Sequence, residues 1–139
     1  FKIQQDDIKS ITLNCNSSIL FAPYTERPED YMTTADINCL PSYREGFGTT
    51  IIEAAACGLP SIGSKIYGIT DAIVDGETGV LVEKGDVDAL AFAMFTLAKD
   101  PSLRKNMGKS AKKRALEKFH QQRLSDSLMT LIKEQSDQV

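Results

Sequence analysis

The sequence predicts an α/β fold: a parallel sheet with helices on both faces, ending in a run of helices. Three observations carry this. Apolar runs of strand length at 18–22, 37–40 and 80–82 show no clean period-two polarity, as expected of strands buried on both faces. They alternate with segments of helical apolar spacing, the order that builds a two-sided sheet. A glycine-punctuated loop, 45–48, joins one of the runs to a helical pattern. In open parallel sheets such a loop lies beyond the carboxyl ends of the strands, where ligands sit.

Along the chain, residues 1–16 carry only a ragged helical face, with Ile8, Ile11 and Leu13. The run at 18–22 is read as a buried strand. Pro28 fits the first position of a short helix reaching Ala35, and 37–40 is the next strand. The helical pattern from Thr50 to Cys57 stops at Gly58, with Pro60 just beyond. Residues 61–64 read as a strand weakened by Gly63, and 69–74 as a short helix. Asp75-Gly76 and Thr78-Gly79 mark turns before the strand at 80–82. Asp86 caps an amphipathic helix with Val87, Leu90, Ala91, Met94 and Ala98 on one face. Asp100-Pro101 starts another helix, whose stripe is Leu103, Met107, Ala111, Ala115 and Phe119, with Gly108 expected to break or bend it. A last helix from His120 carries Leu124, Leu128, Leu131 and Ile132.

Size and composition set bounds. A chain of 139 residues, 42% hydrophobic and 25% charged, is one ordinary globular domain by length. A net charge of −3 gives no electrostatic argument for nucleic acid. No apolar run reaches membrane-span length. The three cysteines, Cys15, Cys39 and Cys57, are odd in number and lack a Cys-x-x-Cys pair, so they read as reduced, buried, cytosolic thiols. Asp6-Asp7 and the Asp86/Asp88 pair have no metal-ligand spacing to a histidine or cysteine. His120, the only histidine, reads as a helix-boundary residue. The stretch 99–123 holds nine of the sixteen Lys and Arg residues. Its plainest reading is a solvated helix face; the sharper one is contact with an anionic membrane surface or a partner domain.

The loop carries the chemistry. Gly46 and Gly48 remove side chains, so backbone N–H groups can approach a ligand. The helix start at Thr49-Thr50 offers unpaired N–H groups and the positive end of the helix dipole to an anion. Glu45 and Glu53 bracket the loop, leaving room for a ligand with an anionic part and hydroxyls. Glu53 has small or apolar neighbours, Ile51, Ile52 and Ala54 to Ala56, so it is expected to be buried and in need of donors such as ribose hydroxyls. Tyr24 and Thr25, after the first predicted strand, either pack on a nucleotide base or simply fill the loop.

Pro41-Ser42 before Glu45, Gly46-Phe47-Gly48 inside the motif, and Glu53-Ala54-Ala55-Ala56-Cys57-Gly58-Leu59-Pro60 after it resemble the donor-site signature of family 4 glycosyltransferases. The likeness runs from about Ser18 to the C-terminus. It implies the C-terminal, donor-binding half of a two-domain, Rossmann-like (GT-B) enzyme that transfers a hexose with retention of configuration. Residues 1–139 would then be a single partial domain, with the N-terminal acceptor domain absent and the piece alone inactive. The resemblance assigns Gly48, Thr49 and Thr50 to the diphosphate, Glu53 to the ribose hydroxyls, and Glu45, Gly46 and Phe47 to the sugar, with Glu45 the catalytic-site residue; Tyr24 joins the nucleotide side by its place after a strand end alone. It implies a nucleotide-diphosphate sugar as donor substrate, no metal and no other cofactor. The acceptor would be lipid-linked or a saccharide, at the cytoplasmic face of a membrane.

Residues 66–71, Ile-Tyr-Gly-Ile-Thr-Asp, are similar to members that build capsule or O-antigen sugars. Two departures stand out. The basic pair that grips the diphosphate in the family has no match here, and Ala22-Pro23 replaces the glycine common after the first strand. A sugar-nucleotide epimerase of the same architecture and a non-catalytic nucleotide-sugar-binding module are the rival expectations. A dinucleotide oxidoreductase is disfavoured, because no Gly-x-Gly-x-x-Gly follows the first strand.

Overall fold

The structure, a computed structural model, describes residues 19–20, 22 and 24–119. In chain order it contains α1 (Pro28–Met32), β1 (Asn38–Leu40), α2 (Thr49–Ala56), β2 (Ser61–Ser64), β3 (Gly79–Val82), α3 (Val87–Lys99) and α4 (Pro101–Lys118). The three strands form one parallel sheet in the order β1-β2-β3.

Register sorts the strand side chains onto two faces. Cys39, Ile62 and Val80 are in line, as are Leu40, Gly63 and Leu81 one step along. The first face joins Val82, Ala93, Leu97 and Met107 in one cluster, so α3 and α4 contribute to its cover. The second packs Leu40 and Leu81 with Ile51 of α2 and with Ile69, Ala72 and Ile73. Apolar groups on both faces are the physical reason these strands do not alternate in polarity. A third contact joins α2 to α4 through Ala55, Ala111 and Ala115.

Both aspartate caps form as expected. Asp86 Oδ1 accepts from Ala89 N–H at 2.8 Å, and Asp100 Oδ1 accepts from Leu103 N–H at 2.9 Å, with Pro101 opening α4. Arg104 closes the junction between the two helices. Its Nη1 donates to the Ala98 carbonyl at 2.8 Å, satisfying a helix-end acceptor, and its Nη2 lies 3.2 Å from Asp36 Oδ1.

Four expectations change. Residues 19, 20 and 22 belong to no strand, and Leu20 is 87% exposed; apolar composition alone supplies no pairing partner. The helix expected over 69–74 is instead a series of turns, entered through Gly68 at φ 84°. The short helix from Pro28 ends at Met32, and hydrogen-bonded turns carry the chain on to Ala35. Gly108 does not break α4, which runs unbroken past it. A Cβ there would strike the Gly58 carbonyl, so this glycine permits the close approach of α4 to the end of α2. Gly63 acts similarly: a Cβ would lie 2.7 Å from Ile69 Cγ2, and its strand is buried along all four residues. The readings for residues 1–16, Cys15, His120 and the last helix fall outside the described residues.

The turn before β3 serves that strand directly. Asp75 Oδ1 accepts from Leu81 N–H at 2.8 Å, and Gly76 N–H donates to the Gly79 carbonyl at 2.9 Å. Among the described residues no helix is long and apolar enough to cross a membrane.

Candidate functional site

Parallel strands deliver their carboxyl ends to one rim. There β1 feeds the loop 41–48, and β2 feeds the loop 65–70.

The first loop ends in Gly48, which takes a left-handed conformation (φ 52°, ψ 38°) and caps α2 with no side-chain cap bond. Its carbonyl accepts from Ile51 N–H at 2.9 Å, which starts the helix. The N–H groups of Thr49 and Thr50 have no hydrogen-bond partner among the described residues, and both residues are exposed. A left-handed glycine followed by two unpaired N–H groups at a helix start suits an anion.

The second loop braces the first. A Cβ built on Gly68 would lie 2.7 Å from the Gly46 carbonyl oxygen and 2.8 Å from that of Glu45. Only a glycine lets the two backbones meet there, and its φ of 84° independently favours one.

Glu45 is half-buried, and Ser42 Oγ donates to its Oε2 at 3.3 Å. Among the described residues it forms no ion pair with Arg44, which is exposed. Gly46 is exposed, and Phe47 is 53% exposed. The Phe47 ring meets Phe119 edge to face, with centroids 6.0 Å apart and planes at 77°.

Glu53 corrects an expectation: it is exposed, not buried. Helical spacing explains this. Ile51, Ala54 and Ala55 take the buried side of α2, while Glu53 follows Thr49 by four residues and Thr50 by three and shares their outward face. The helix start and the Glu53 carboxylate therefore serve one surface. Tyr24 is 91% exposed, and no hydrogen bond or ring contact ties it to this loop among the described residues.

Sequence reasoning missed several participants. Ser42 was visible only as a flank of the motif. Gly68 and Asp71 lie in the 66–71 stretch, whose sequence points to a different resemblance, and Phe119 reads from spacing alone as part of a helix stripe. A glycine four residues past a strand end was the available signal for Gly68. Of the other titratable groups, Cys39 in the middle of β1 stands out, because burial pushes its thiol pKa up.

Comparison with known proteins decides the family. Residues 4–114 match the family described as glycosyl transferases group 1. The chain belongs to that family. It is 33% identical over 126 residues to the capsular polysaccharide biosynthesis glycosyltransferase CapM of Staphylococcus aureus, covering 91% of this chain and 33% of the relative. The solved C-terminal domain of a glycosyl transferase group 1 family protein from Francisella tularensis superposes with a TM-score of 0.68 at 26% identity. That match covers 84% of this chain and 60% of the other. Anabaena HepE, solved in complex with UDP, matches with a TM-score of 0.66 at 26% identity, over 72% of this chain and 29% of the other.

The chain spans about a third of the length of CapM and of another curated relative it matches, and less of others. The described fold is the Rossmann-like C-terminal domain of a GT-B glycosyltransferase, with a parallel sheet and closing helices.

Proposed function

We propose that this group 1 glycosyl transferase domain binds a nucleoside-diphosphate sugar and presents it for retaining transfer of a hexose to an acceptor in polysaccharide or glycolipid synthesis. One observation carries the reading: the unpaired N–H groups of Thr49 and Thr50 behind left-handed Gly48 share an exposed face with the Glu53 carboxylate. N–H groups suit a diphosphate, and a carboxylate one turn further suits paired hydroxyls such as those of a ribose. Glu45, Gly46 and Phe47 lie on the other side of Gly48, the side left for the sugar. Tyr24 contributes to the nucleotide only if the donor draws its loop inward.

Transfer needs an acceptor face opposite this rim, so the chain by itself binds donor without turning it over. The acceptor is a lipid-linked or free saccharide, met on the cytoplasmic side of a membrane. Charge neutralisation at the diphosphate comes from the helix start and from basic side chains of the rest of the enzyme, without a divalent metal. The UDP bound to Anabaena HepE makes uridine the first base to try.

The test is calorimetric titration of UDP and UDP-glucose into the chain, with NAD as a control dinucleotide. Saturable binding of the uridine nucleotides and none of NAD is expected. No binding of any nucleoside diphosphate or its sugar would overturn the reading. Conversion of UDP-glucose to an epimer by the full-length enzyme would favour the epimerase alternative.

A further inference from the structure

We propose that Arg114 is a positioning residue for the sugar side of the donor loop, acting through Phe119; this rests on the donor-site reading above. Arg114 stands near the end of α4, half-buried. Its guanidinium serves two neighbours at once. Nη2 donates to the Asp71 carbonyl at 2.9 Å, in the turns that follow β2. Its central carbon lies 5.6 Å from the centre of the Phe119 ring, which in turn meets Phe47 edge to face.

These contacts fasten both loops of the rim to one helix end. The turns holding Asp71 continue from Gly68, whose backbone supports Glu45 and Gly46. The ring contact holds Phe47. A planar guanidinium can donate in its plane while offering its face to a ring, which an ammonium cannot do. Arg114 Nε is buried with no hydrogen-bond partner among the described residues, so the Asp71 and Phe119 contacts orient the group at the expense of that atom.

Phe47 is not fixed by burial, since it is 53% exposed. Its position depends on the edge contact from Phe119. Loss of that contact therefore frees the ring without emptying a core site. The consequence falls on the sugar, not on the diphosphate or ribose, which are bound by Gly48, Thr49, Thr50 and Glu53.

Affinities for UDP and for UDP-glucose, together with melting temperature, are measured on the unaltered chain and on Arg114→Ala, Arg114→Lys, Phe119→Leu and Phe119→Tyr. Arg114→Ala and Phe119→Leu should weaken UDP-glucose by about three- to tenfold and leave UDP unchanged. Phe119→Tyr, which keeps the ring, should retain UDP-glucose affinity; Arg114→Lys should not. Equal losses for both ligands, in step with melting temperature, would reduce Arg114 to helix packing and overturn the proposal. So would an unchanged ratio of the two affinities. If Arg114→Ala does not fold, the Phe119→Leu and Phe119→Tyr pair decides by the same ratio. Failure of the unaltered chain to bind any nucleoside diphosphate would instead overturn the donor-site reading on which this one stands.

Discussion

Gly48 and Gly68 meet backbone to backbone at the rim of the sheet: a Cβ on Gly48 would lie 3.1 Å from the Gly68 carbonyl oxygen. Both have positive φ, 52° and 84°. The loop ahead of α2 is therefore built as two layers of main chain, and its shape depends on the absence of two side chains. Gly68→Ala should force the Glu45–Gly46 carbonyls away while straining its own backbone. A loss of about 1–3 kcal/mol in urea unfolding is expected. UDP-glucose affinity should fall with it, and full retention of both would show that the loops part without cost.

Glu53→Ala tests the outward face of α2. Removing a charged partner of hydroxyl groups should weaken UDP and UDP-glucose alike by about ten- to a hundredfold, or roughly 1.5–3 kcal/mol. Stability should hardly change, because the side chain is exposed. A 2′,3′-dideoxy nucleotide should bind both forms equally. Unchanged UDP affinity would leave Glu53 a solvated residue.

Glu45→Gln separates the sugar side from the nucleotide side. The amide keeps the Ser42 contact possible, so melting temperature and UDP affinity should hold. Turnover by the full-length enzyme should fall by about a hundredfold, since the charge beside a developing oxocarbenium-like centre is gone. Parallel losses in all three measurements would make Glu45 structural.

Cys39 offers a pH-dependent readout. Its thiol, half-buried rather than buried as the sequence suggests, holds its proton to higher pH than an unfolded thiol does. That preference favours the folded state below the unfolded thiol's pKa and is lost as pH rises through the folded one. Iodoacetamide should label Cys39 more slowly in the folded chain than in urea at mildly alkaline pH, with the gap narrowing as pH climbs. Site-resolved mass spectrometry checks this, and equal rates throughout would show an unprotected thiol.

Much of this layout was legible in the sequence, because the signals were local. Asp86 and Asp100 announce their helices by a side-chain bond made within three residues. The loop at 45–48 is legible because two glycines and two glutamates at fixed spacing are hard to reach by chance. What sequence hid was what one element does to another. Gly63 and Gly108 looked like weaknesses, yet each is a point where a neighbouring element comes too close for a methyl group. For Glu53 the apolar neighbours in sequence mislead, because helical periodicity turns Ile51, Ala54 and Ala55 to the buried side and leaves Glu53 outward. The run at 18–22 has strand composition, but a strand is made by pairing, and composition does not encode a partner.

Asp75 has a consequence that reaches past the single molecule. Among the described residues β3 borders the sheet, and an outer strand normally offers its free amide groups to any other chain that arrives in extended form. Here the outward N–H of Leu81 is already held by Asp75, and the outward carbonyl of Gly79 by Gly76. A second copy finds these two groups already taken, and meets a carboxylate where it would have to dock. The turn that precedes β3 thus keeps crowded copies of the protein from recruiting one another into a shared sheet.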